Sequence, residues 1–268
     1  MGKEPLSAEE LAVPYSKYYE LPFEDIREED RAYLEAPMDA GQAMPAEESG
    51  NYIRNLGKDG YAANGYYPAP EGAYTACTVF LKDVTPEMLD WWFIWLNHPN
   101  PSVPAERGNL KYKIWCPPDH WDHHFLDEEH PDAGMRICES LDLGAGSPRK
   151  QIINRTLPVS LLGVEEEILK AAREQGVSIK FGGGCGPDGV IGGVGLTMFV
   201  PAEGGCIWTS RGWGGLVPQD GKLVKRGGGA FDEKATQLEL RHNVLERRHL
   251  AKILPEIYRD YRNQPMDL

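Results

Sequence analysis

Residues 239–250, ELRHNVLERRHL, place a histidine and a glutamate four positions apart in a strongly helical stretch. Four residues is slightly more than one helical turn, so His242 and Glu246 share a face about 6 Å apart along the axis. An imidazole nitrogen and a carboxylate oxygen can then meet at one point, the arrangement that zinc and similar ions use. The same face carries Leu238, Leu245 and His249, so part of it must approach apolar surroundings.

Other chemistries find less support. The glycine run GGGCGPDGVIGGVG, residues 182–195, lacks the Gly-Lys-Ser/Thr ending of a phosphate loop and is followed by strand-like sequence, so hairpin turns are the better explanation. No Gly-x-Ser-x-Gly is present to build a nucleophile elbow. Five cysteines without a Cys-x-x-Cys pair fit reduced thiols, and Cys116, in WCPPDH, is the one with a place among possible metal ligands.

Charge narrows the partners. Against 28 basic residues stand 41 acidic ones, a formal net charge of −13, with no basic run able to track a phosphate backbone. No apolar run approaches the ~20 residues of a membrane span, and the opening MGKEPLSAEELAVPY lacks the pattern of a secretory signal. A cytoplasmic protein without nucleic-acid or membrane partners is expected.

The positioning elements follow from periodicity and capping. Residues 1–70, acidic and rich in proline and tyrosine, read as an irregular arm packed on a body formed by residues 71–268. GAYTACTVFLKDV reads as a strand, and TPEMLDWWFIWL as a buried helix with Thr85 as N-cap and Pro86 at its first position. The segment NLKYKIWCPPDHWDHHFLDEEHPDAG begins as a strand and opens into a polar loop in which His120, His123, His124 and His130 are solvated. MRICESLDLG and RKQIINRTLPVSLL read as strands, and GVEEEILKAAREQG as a helix closing on Gly176. Paired glycine-rich strands and a last helix over about 232–262 complete an α+β order, an antiparallel sheet curled round the C-terminal helix, with glycines helping the sheet bend.

Three stretches in this order, TPEMLDWWFIWLNH, LKYKIWCPPDHWD and LRHNVLE, resemble the family of C–C hydrolases that includes phloretin hydrolase and 2,4-diacetylphloroglucinol hydrolase, over roughly residues 70–262. The resemblance implies a helix-grip fold of the pollen-allergen (Bet v 1-like) kind. It also implies one zinc ion per chain, held by two histidines and two glutamates, and a homodimer. Two ligands map onto His242 and Glu246. For the others the family supplies a histidine and, about thirty residues on, a glutamate, which assigns His98 and Glu129; His123, His124, Glu128 and Glu139 are the alternates.

The reaction so implied is hydrolysis of the bond between an acyl group and a phloroglucinol ring. Metal-activated water attacks the acyl carbonyl, the electron pair of the broken bond goes to the ring carbon, and that carbon takes a proton from Tyr112 or His123. The substrate is phloretin, giving phloroglucinol and 3-(4-hydroxyphenyl)propionate, or a diacetylphloroglucinol-type ketone. A small phenolic ketone is thus the expected partner. A non-catalytic module for hydrophobic ligands is the competing reading, since the same fold often only binds.

Overall fold

The computed structural model describes residues 3–58, 60–70, 72–186, 188–226 and 231–268. The N-terminal arm winds through helix α1 (Ala8–Ala12), a 3-10 turn at Pro14–Glu20, helix α2 (Glu28–Leu34) and helix α3 (Ser49–Arg54). Strand β1 (Gly65–Ala69) then pairs with β2 (Gly72–Lys82), so the end of the arm is an edge of the sheet.

Helix α4 (Pro86–Trp95) begins as its sequence predicts, the Thr85 hydroxyl accepting the Met88 amide at 3.2 Å with Pro86 at the first position. It is not buried all round. Leu89, Trp92 and Trp95 face the core, whereas Ile94 is 49% exposed, because Phe93 and Ile94 border a large cavity. The expected strand after residue 109 is instead the one-turn helix α5 (Leu110–Lys113), capped by Asn109. The expected histidine loop is strand β3 (His120–Phe125), a hairpin partner of β4 (Gly134–Glu139).

Strand β5 (Lys150–Thr156), helix α6 (Glu166–Glu174), strands β6 (Ser178–Cys185), β7 (Ile191–Ala202) and β8 (Gly205–Gly214), and a small hairpin of β9 (Leu216–Gln219) and β10 (Lys222–Lys225) lead to helix α7 (Glu233–Tyr261). The main sheet runs β1-β2-β8-β7-β6-β5-β4-β3, antiparallel at every pairing. The fold is therefore α+β, a large antiparallel sheet with one long C-terminal helix. Among the described residues no helix is long and apolar enough to cross a membrane.

Strand alternation divides the core. On β7, Val194, Leu196 and Met198 join Phe181, Tyr52, Ile53 and Leu169 in one apolar cluster, which α3 and α6 cover. Phe199 of β7 and Trp208 of β8 point the other way, into a cluster with Trp92, Trp95, Val244, Leu250 and Ile253 of α4 and α7.

Ion pairs fasten the arm. Asp30 of α2 takes both guanidinium nitrogens of Arg248 on α7, and fully buried Glu10 binds Lys113 at 2.7 Å and Arg107 at 2.8 Å. Burial acts to raise both carboxyls, but these cations and backbone amides reverse it and hold Glu10 and Asp30 below the ordinary carboxylate range. Their contribution to stability is complete above that range and is lost as pH falls through the lowered values. Glu10→Ala leaves the buried Lys113 ammonium without its carboxylate. Urea titration should show a loss of about 3–5 kcal/mol at neutral pH.

Candidate metal centre

The buried end of the sheet meets α7 at four side chains. Register places His120 directly opposite Glu139 across the β3–β4 hairpin, and a β-bulge between His120 and Asp122 follows. Helical spacing supplies His242 and Glu246. His120 Nε2 lies 3.3 Å from His242 Nε2, 3.4 Å from Glu139 Oε2 and 3.4 Å from Glu246 Oε2, and His242 Nε2 lies 3.5 Å from Glu246 Oε2. All four residues are nine-tenths or more buried.

The outer contacts decide what faces inward. His242 Nδ1 donates to Asp119 Oδ2 at 2.6 Å, and Asp119 is itself fixed by the Ser140 hydroxyl and the Gly144 amide. His120 Nδ1 donates to the Tyr112 carbonyl at 3.2 Å. Both acceptors lack hydrogens, so the ring protons sit on Nδ1 and each Nε2 presents a lone pair to the other and to the carboxylates. With both imidazoles neutral, four acceptors converge and only the Tyr112 hydroxyl, on Glu139, donates to them, which burial makes costly unless a positive charge sits between them. Electrostatics agree. Burial opposes charge on His242, yet the Cys116 sulfur, the Glu246 carboxylate and the Asp119 hydrogen bond drive its pKa well above the ordinary imidazole value, so that without an ion a second proton, on Nε2, supplies the positive charge the group calls for. Burial likewise opposes charge on Glu246, but His242 and His120 hold that carboxyl ionised.

These residues fit a metal ion. Tetrahedral ligand atoms about 2.0–2.1 Å from a common centre are roughly 3.3–3.4 Å apart, close to the spacing found here, and imidazoles anchored through Nδ1 to a carboxylate and a carbonyl are the usual outer shell of such a site. Cys116 forms a second buried group with the same two histidines, one potential ligand atom from each lying within 4.8 Å of the others. Its sulfur approaches His242 Nδ1, at 3.9 Å, the nitrogen that Asp119 already occupies. Burial pushes the thiol up to about 12, which keeps it protonated.

Tyr112 and His123, the residues expected to carry protons, also come to this centre. The Tyr112 ring stacks on His120 with centroids 3.8 Å apart, and its hydroxyl donates to Glu139 Oε2 at 2.5 Å. Burial, then the neighbouring Glu139, raises its pKa well above the free phenol. His123 is buried against Tyr112 with Nδ1 on Asn97 Oδ1 at 2.9 Å, and burial holds it neutral.

His98 and Glu129 do not join His242 and Glu246. His98 follows the end of α4, its ring edge-on to Phe125 and its carbonyl accepting from Lys111. Glu129 is exposed in a turn, its amide bound to Asp127. Of the alternates, Glu139 is at the centre, His124 pairs with Asp122, and Glu128 is exposed at the cavity rim. His120 was missed because a polar segment rich in Asp and His resembles a solvated loop. The available signal was the spacing of two β-strands folding back on each other.

Elemental analysis of untagged protein should therefore find about one divalent ion per chain. His120→Ala and His242→Ala should lose it, while His98→Ala and Glu129→Ala should keep it. Cys116→Ser should also retain it.

Over residues 51–259 the chain matches the family model described as the DAPG hydrolase PhiG domain. It is 27% identical to phloretin hydrolase of Eubacterium ramulus, across 93% of this chain and 91% of that one. It is also 27% identical to a 2,4-diacetylphloroglucinol hydrolase from a Pseudomonas species, across 92% of this chain and 88% of the relative, and to one from Pseudomonas protegens across 76% and 68%. The chain is a hydrolase, and it belongs to the DAPG hydrolase PhiG domain family.

Proposed function

We propose that this protein hydrolyses the carbon–carbon bond between an acyl group and a phloroglucinol ring, with one zinc ion held by His120, Glu139, His242 and Glu246. The observation that carries the reading is the convergence of two buried imidazoles and two buried carboxylates against Trp115, which lines a large cavity. The names of the relatives supply the substrate class. An eight-stranded antiparallel sheet crossed by one long helix supports reading the fold as a helix-grip.

When bound, a divalent cation supplies Lewis acidity for the acyl carbonyl and makes water easier to deprotonate. The chain provides the rest. Asp119 and the Tyr112 carbonyl hold Nδ1 of His242 and of His120, so that both Nε2 atoms are turned to where the ion would be held. Tyr112 keeps its proton at Oη, against Glu139, and on this reading passes it toward the ring carbon as the carbon–carbon bond breaks. His123, kept neutral and fixed by Asn97, packs against the Tyr112 ring.

Phloretin is the favoured substrate. The cavity measures about 1440 Å³ and runs from Trp115 beside the centre to Trp213 and Phe181, above the roughly 300–1,000 Å³ typical of small-molecule sites. That leaves room for a second ring beyond the acyl carbon.

Incubation with phloretin should release phloroglucinol and 3-(4-hydroxyphenyl)propionate in equal amounts, followed by liquid chromatography. A chelator should abolish turnover and added zinc restore it. Tyr112→Phe should lower kcat by about a hundredfold or more with metal content unchanged. A metal-loaded wild type that cleaves neither phloretin nor diacetylphloroglucinol would sink the proposal.

A further inference from the structure

The cavity floor is built in an unusual way. On the sheet face that looks toward α7, two cross-strand rows are glycine at each of β6, β7 and β8: Gly182, Gly195 and Gly212 in one, flanked by Thr156 and Thr75, and Gly184, Gly193 and Gly214 in the next. Strands spaced about 4.8 Å apart make this bare patch roughly 10 Å wide, the span of an aromatic ring with its substituents.

Most of these glycines have a reason in the fold. A Cβ on Gly182 would meet the Arg155 carbonyl at 2.9 Å, on Gly193 the Gly214 Cα at 2.9 Å, and on Gly212 the Thr75 hydroxyl at 2.6 Å. Gly184 and Gly195 have none. Neither has a positive φ, and an added Cβ would find only Asn154 Oδ1 or the Arg211 carbonyl, each at an ordinary 3.7 Å. Glycine inside a strand weakens it, so leaving these positions bare costs stability and serves only the space above them.

The opposite wall carries polar groups. Glu239, Asn243 and Arg247 stand on successive turns of α7, one position off the stripe of His242 and Glu246, and border both the main cavity and a side pocket of about 180 Å³ that Gly195 and Gly212 also line. Arg247 is 3% exposed and lies over the Trp208 ring at 4.6 Å. Its terminal nitrogens hold the Cys77 carbonyl, the Ser210 hydroxyl and Asn243 Oδ1, its Nε has no partner, and no carboxylate pairs with it among the described residues. A buried guanidinium without an anion favours an oxygen-rich, acidic ligand edge.

We infer that the glycine floor and Arg247 form the seat of the ligand's ring, a flat aromatic ring bearing acidic hydroxyl or keto oxygens. The ring lies on Gly184 and Gly195 with its oxygens toward Arg247, Asn243 and Glu239. Its acyl substituent points along α7 to His242 and Glu246. This seat deepens the hydrolase reading given above and rests on it for the identity of the natural ligand.

Quercetin, a planar polyphenol whose aryl ketone is locked within a fused ring so that its hydrolysis would release no acid, separates the two. Calorimetry on the intact protein should show quercetin binding to the wild type. Gly195→Leu and Gly184→Val should weaken it by about tenfold or more, and Gly195→Ala by less, because each fills the space over the floor. Gly41→Ala, whose added methyl meets nothing within 4 Å, should bind as the wild type does. Arg247→Lys should weaken binding without filling the floor. Unchanged affinity in Gly195→Leu and Gly184→Val, or in the better folded Gly195→Ala should the larger side chains unfold the protein, would overturn the seat, as would a wild type that does not bind quercetin. Phloretin left uncleaved by a wild type that binds quercetin would count against the hydrolase reading alone.

Discussion

Two imidazole lone pairs and two carboxylates held within about hydrogen-bond distance of one another, away from water, are unstable unless something positive sits among them. Much of the surrounding structure serves to keep them there. Asp119 and the Tyr112 carbonyl stop the histidines from turning their N–H groups inward, and Ser140 and Gly144 stop Asp119 from turning away. The Trp115 indole donates to the carbonyl of Glu246 itself. Such a network would fix the point where a cation is held before one arrives, as preorganisation of a catalytic site requires.

Helix α7 connects this centre to everything else. One face carries His242 and Glu246 and, offset by one position, the polar stripe over the glycine floor; its other faces bury Val244, Leu250, Ile253 and Ile257. The N-terminal arm clamps it from outside through Asp30 to Arg248, Glu24 to Lys252 and Lys17 to Glu256. The half-exposed pairs add little individually, whereas the bidentate, largely buried Asp30–Arg248 pair fixes the helix against the arm. Chemistry, substrate space and stability therefore share one element. A displacement of α7 would be felt in all three.

The sequence was legible where the relation between residues is local. His242 and Glu246 are one helical turn apart, and the caps of α4 and α7 lie beside the helices they start. It was opaque where the relation depends on register. His120 and Glu139 are nineteen positions apart and meet only because β3 and β4 pair with the particular offset that the bulge after His120 allows. One residue of slip would send Glu139 to the other face of the sheet. Family spacing pointed to His98 and Glu129, a separation that this chain does not use to build the centre. The glycine segment carried a similar ambiguity. Gly189, at φ +74°, does make a turn, but Gly182, Gly184, Gly193 and Gly195 lie inside strands, and only their cross-strand alignment shows that they form a surface.

The central claim is that the buried centre holds its cation through nitrogen and oxygen, with Cys116 outside the set. X-ray absorption at the zinc edge of the purified protein reads this directly. The account predicts a first shell of nitrogen and oxygen alone at about 2.0–2.1 Å, with imidazole scattering beyond it. A sulfur shell at about 2.3 Å would contradict it and place the Cys116 thiolate, instead of a glutamate, on the metal.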